Sequence, residues 1–131
     1  MDLLDGIAAA DAVLGRPFPL PRCILPLVRW TEVHRAGDGV QVDWNLDDTR
    51  PGSPGRVCLY AGPAPAPDHL PGVAWAAEGD LEVRRAPLEE AQDSLRPVVE
   101  LAWEQDGLHL RLTAQGPWAE EELRAIAASV G

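Results

Sequence analysis

Lysine is absent from this chain, and all eleven basic residues are arginines. That excludes Schiff-base chemistry and a P-loop grip on a nucleotide, both of which need a lysine amine. Serine stands only at Ser53, Ser94 and Ser129, and Gly52-Ser53-Pro54-Gly55 is not the G-x-S-x-G elbow of a hydrolase. No G-x-G-x-x-G loop is present to cradle a dinucleotide. The two cysteines, Cys23 and Cys58, form no C-x-x-C redox pair. In the cytoplasm they are expected as reduced, buried thiols; in an exported domain they could pair and add about 2–4 kcal/mol by constraining the unfolded chain. Apolar runs fall far short of the roughly 20 residues that cross a bilayer as a helix. Aromatics are scarce as well, yet five of the seven are Trp, so those few side chains carry core or groove contacts.

What is present fits one folded domain, residues 1–131. The length is that of a common single domain, and 46% of the residues are hydrophobic, which is not a disordered composition. Acidic residues number 21 against 11 basic ones, a formal net charge of −10. Such a field repels phosphate backbones, and Arg84-Arg85 is the one adjacent basic pair, so nucleic-acid binding is not expected. The lysine-free, Arg-, Ala-, Gly- and Pro-rich composition fits a GC-rich bacterial genome. The start, MDLLDGIAAADAVLG, places acids where a secretory segment carries positive charge. A natural start at Met1 therefore predicts a cytoplasmic protein; a shortened chain could have lost an export signal or anchor and be extracytoplasmic.

Periodicity predicts an α+β fold: a single antiparallel sheet of five or six strands with three helices packed on it. Leu3, Leu4, Ile7, Ala10 and Leu14 recur at helical spacing within residues 1–15, with Asp2 as cap and Gly15 as stop. Pro17 to Pro26 reads as extended chain. Strands are expected at 28–33, at Val40-Val42-Trp44, at Arg56 to Ala61 and at Leu81 to Arg85, with a short helix at 87–95. The run 62–72, with four prolines, reads as a semi-rigid surface connection. Asp106-Gly107 is a favoured two-residue hairpin turn; it pairs Trp103 with Leu110 and Leu101 with Leu112, and puts Glu100, Glu104, His109, Arg111 and Thr113 on the other face. A last helix spans 117–130, with Pro117 at its first position, Glu120 to Glu122 in its first turn, and a stripe of Leu123, Ile126, Ala127 and Val130.

Candidate sites are few. His34, His69 and His109 have no metal-ligand spacing; a site would need the fold to join them to Asp43 or Asp47, and solvated surface histidines are the simpler reading. No metal and no cofactor is therefore expected. Asp43, Asp47 and Asp48 cluster, but without the calcium-loop pattern a turn-forming, solubilising loop from Asp47 to Gly55 explains them. Cys58 alternates within a strand, which favours burial over a reactive thiolate. Glu100 and Glu104 share a face by strand periodicity alone. Trp44 and Trp103 fall on apolar faces and belong to the core. Trp30, Trp75 and Trp118 lie near element ends, where an indole can anchor a partner.

Several blocks, in order, carry a resemblance: the proline-interrupted lead Pro21 to Leu27, the Val40-Val42-Trp44 strand, Arg56-Val57-Cys58-Leu59-Tyr60, Leu101 to Leu110, and Glu121-Glu122-Leu123-Arg124-Ala125-Ile126-Ala127-Ala128-Ser129-Val130. Together they resemble a bacterial domain of unknown function that is often attached to anti-sigma-factor or sporulation-related extracytoplasmic proteins. The resemblance spans residues 20–130 and is most specific over the last thirty. The chain departs from that pattern in lacking a transmembrane helix and in carrying His109 where the last strand usually has an aromatic. The family implies no catalytic residues.

The reading that follows is a non-enzymatic binding, sensing or protein-interaction module. Its partner, a protein or a small ligand, would meet a sheet face or the 47–55 loop through Trp30, Trp75, Trp118, Asp47, Asp48 and Arg50. Two alternatives stand beside it: an acidic, immunity-type inhibitor of a basic partner, and a small enzyme with a fold-assembled site of His34, Asp43 or His109.

Overall fold

Apolar and polar residues alternate along these segments, and the structure pairs them into one sheet. A computed structural model describes residues 3–23, 28–46, 55–68, 72–86, 98–116 and 118–131. Among them are helix α1 (Ile7–Leu14), strands β1 (Val28–Ala36), β2 (Gly39–Leu46), β3 (Arg56–Gly62), β4 (Ala76–Glu78), β5 (Leu81–Ala86), β6 (Val98–Gln105) and β7 (Leu108–Gln115), and helix α2 (Glu120–Ser129). The strands form a single antiparallel sheet in the order β1-β2-β3-β7-β6-β5-β4. The fold class is α+β as the periodicity predicts, and the described residues hold seven strands, where five or six are expected, and two helices. The seventh strand is β4, whose three residues are too few to show a period. The expected helix at 87–95 lies outside the described residues.

One face of the sheet is apolar. Val40, Val42, Val57, Leu59, Leu101, Leu110 and Leu112 are buried there, and Ala10 of α1 and Leu123, Ile126 and Ala127 of α2 join the same core. Burying each such Leu, Val or Ile contributes roughly 1.5–3 kcal/mol relative to exposure. Trp44 is buried and Trp103 packs against the cluster, as their strand parity requires. The β6–β7 hairpin has the register read from its turn, with Trp103 opposite Leu110 and Leu101 opposite Leu112. Asp106 and Gly107 both take positive φ, 52° and 80°, which is the backbone that Asp-Gly supplies to a tight hairpin.

Both helices start later than the sequence suggests. α1 begins at Ile7 behind Gly6 instead of at Asp2. Leu3 bridges to His34, and the Leu4 N–H donates to the Val33 carbonyl at 2.6 Å, so this lead covers part of the β1 edge and is not available to the helix. Gly15 ends α1 as expected, in the left-handed conformation with its N–H on the Asp11 carbonyl. α2 begins at Glu120 instead of at Pro117, and Glu122 folds back to accept the Ala119 N–H at 3.0 Å. No helix among the described residues is long and apolar enough to cross a membrane.

Candidate functional site

The other face of the sheet carries the charge. Strand register aligns six side chains in one row across β1, β2, β3, β7, β6 and β5: Glu32, Asp43, Cys58, Thr113, Glu100 and Arg84. The next row holds His34, Gln41, Tyr60, Arg111, Ala102 and Glu82; the row on the opposite side places Asn45, Arg56 and Gln115 together. Asp43 and Glu100 are fully buried, and Arg84 and Arg111 nearly so. Buried charges persist only when paired and hydrogen-bonded, and these are.

Glu100 is the hub of one half. It accepts from Arg84 at 2.6 Å and from the Thr113 hydroxyl at 2.7 Å, and Arg111 Nε lies 3.1 Å from its second oxygen. Asp43 is the hub of the other half, accepting from Gln41 at 2.8 Å and from Arg56 at 2.6 Å. Burial works to raise the Asp43 pKa, but hydrogen bonds from Cys58 and Gln41 and the charge of Arg56 outweigh it and hold the carboxyl below its ordinary value. Burial, reinforced by the Asp43 charge, pushes the Cys58 thiol well above its ordinary value. A thiol held protonated in this way is a donor to Asp43 and not a nucleophile. Cys58 and Cys23 are both free thiols, Cys58 buried and Cys23 partly so.

The proline-rich connection folds over this face. Tyr60 donates its hydroxyl to the Ala64 carbonyl at 2.7 Å, Arg111 donates to the Pro67 carbonyl at 2.7 Å, and Asp68 pairs with Arg84 at 2.9 Å. The Arg84 guanidinium also stacks on the Trp75 ring, 4.4 Å from its centroid. Between this segment and the outer strands lies a cavity of about 560 Å³. Asp68, Asp80, Glu82 and Glu104 line it together with Arg84 and Arg111, with Trp75, Trp103 and His109 also in its walls. A smaller cavity of about 310 Å³ adjoins it on the Arg56 side.

The sequence-based candidates divide. Trp75 lines the larger cavity, whereas Trp30 and Trp118 line neither of the two. Trp30 is 48% exposed at an irregularity of β1; Trp118 packs against the core and donates to the Gln115 carbonyl. Asp47, Asp48, Arg50 and His69 lie outside the described residues. His34 corrects an expectation: it is buried, not a solvated surface residue, because β1 sets it beside Asp43, and its Nε2 lies 2.8 Å from Asp43 Oδ2. Glu32, His34 and Asp43 bring three potential metal-ligand atoms within 4.8 Å of one another. The Arg56 guanidinium already occupies the same Asp43 oxygen, so the protein itself supplies the cation there. His109 stands apart from both, 3.3 Å from Glu104, so the fold joins His34 to Asp43 and leaves His109 out of a three-residue site.

Of the residues that build the polar face, Arg84 and Arg111 are not among the sequence-based candidates, and Glu100 is weighed only with Glu104 and set down to strand periodicity. The hairpin register does place Glu100, Arg111 and Thr113 on one face; a charge at the centre of a strand with apolar neighbours, such as Glu100 between Val99 and Leu101, is the local signal for a buried pair. No known protein family, curated protein or solved structure matches the chain.

Proposed function

We propose that this chain is a binding module and not an enzyme, and that its larger cavity receives a protonated amine or guanidinium from a basic partner. The observation that carries this reading is the cavity lining: four carboxylates against two arginines in number, beside two indoles. Arg84 is already bonded to Glu100 and Asp68, and Arg111 donates to the Pro67 carbonyl with its Nε 3.1 Å from Glu100. The uncommitted charge at the rim is therefore negative, which favours a cation, and Trp75 adds an aromatic wall that suits one. The net charge of −10 steers a basic partner toward the chain over longer range. The Asp43–Cys58 pair supports the non-enzymatic half of the proposal. With a depressed carboxyl and a raised thiol, neither group titrates near neutral pH, where a general base or nucleophile is tuned.

The test is calorimetric titration of the full chain with spermidine and with a short Arg-rich peptide, at low and at physiological salt. Saturable binding that weakens as salt rises is the expected result, with losses of tenfold or more for Glu82→Gln and for Trp75→Ala. Glu121→Gln, on the exposed side of α2, serves as the control for general attraction to an acidic protein and should leave affinity unchanged. Equal affinity in all three variants would mean that the cavity is not the site.

A further inference from the structure

The smaller cavity has the opposite character. Its lining comprises Arg56, Arg111, Gln41, Cys58, Thr113 and Gln115 together with Ala36, Gly37 and Pro67, and contains no carboxylate. The two guanidiniums reach it from opposite directions. Arg56 stands two residues before Cys58 on β3, and Arg111 two residues before Thr113 on β7, in antiparallel strands that pair Cys58 with Thr113. Each arginine reaches toward that shared row, Arg56 to Asp43 on β2 and Arg111 to Glu100 on β6, so the two side chains flank Cys58 and Thr113 from either side.

The hydrogen bonding of both guanidiniums is incomplete. Arg56 Nε and Arg111 Nε are enclosed and have no partner in hydrogen-bonding geometry; Arg111 Nε is near Glu100 but out of line with it. Enclosed donors of this kind are seldom left unmatched in folded proteins. Two arginines lining one small cavity, with amide side chains beside them and no carboxylate in its walls, make a donor set suited to a planar or tetrahedral oxyanion.

We propose that this cavity binds a single oxyanion group, a carboxylate or a phosphate, between Arg56 and Arg111, with Gln115 as a further donor. The Arg56 side chain is 38% exposed and forms the entrance, whereas the Arg111 side chain, at 9%, forms the inner wall. The neutral Cys58 thiol in the lining imposes no charge penalty on the guest. The site is separate in lining from the cation cavity except for Arg111, and it does not depend on that reading.

The experiment is a thermal-unfolding titration of the full chain with sodium phosphate and, separately, sodium acetate, with ionic strength held constant by sodium chloride. Saturable stabilisation by one anion over chloride is expected; phosphate alone would identify a phosphate site, and acetate alone a carboxylate site. Arg56→Gln should weaken that response at least tenfold, and Trp75→Ala should leave it unchanged even if the cation proposal fails. If Arg56→Gln does not fold, Gln115→Leu replaces it, with a loss of threefold or more expected. Neither anion acting beyond chloride, or full binding in the folded variant, would overturn the proposal.

Discussion

The two faces of one sheet hold together by different physics. On the helix-covered face, Val42, Leu59, Leu101 and Leu112 need only be apolar and of the right volume. On the other face, Asp43, Glu100, Arg84 and Arg111 are just as buried, but each needs a particular partner at a particular distance. Nonspecific packing tolerates change, whereas a buried ion pair missing one member leaves an uncompensated charge. The comparison therefore predicts an apolar face that degrades gradually and a polar face that breaks.

Glu100→Ala should show the largest effect, because it strands Arg84 and Arg111 together. Loss of one partner of a buried pair costs about 3–5 kcal/mol, read as a shift of the urea midpoint; a loss below about 1 kcal/mol would show that water compensates the arginines. Leu112→Ala on the opposite face should cost roughly 2–5 kcal/mol through its cavity. The sharper contrast is Leu112→Met, which conserves volume and should cost under about 1.5 kcal/mol, whereas Glu100→Gln, equally conservative in shape, should remain severely destabilising.

Acid should separate the faces next. The Asp43 carboxyl is held below its ordinary value of 3.8, so it stabilises the fold above that pH, and the contribution is lost as pH falls through its folded value. Asp43→Asn should lower stability at neutral pH by leaving Arg56 unpaired, and should flatten the acid limb of a plot of unfolding free energy against pH. An unchanged acid limb would assign that limb to other carboxylates. The smallest effect belongs to the exposed pairs of Arg85 with Glu120 and Glu78, where Arg85→Ala should cost less than about 1 kcal/mol by thermal unfolding.

The apolar face was legible in the sequence because its signals are local. The Asp106-Gly107 turn sets the register of its own hairpin, and Val40-Val42-Trp44 alternate within five residues. The polar site was not, because its rows depend on pairing between distant segments. Cys58 meets Thr113 only through the β3–β7 register, and Arg84 meets Glu100 only through β5–β6. His34 looked like a surface residue for the same reason, since its burial comes from Asp43 across the hairpin and from Leu3 at the β1 edge. Trp75 could be flagged by its position near an element end, but its stacking on Arg84 could not.

The most direct test of the account is an amide chemical-shift map of the full chain titrated with an Arg-rich peptide. Saturating shifts concentrated at residues 75–84 and 102–111, with α1 and α2 unaffected, are the predicted result. Shifts centred on the helices, or spread evenly over the acidic surface, would contradict the assignment of binding to the polar face.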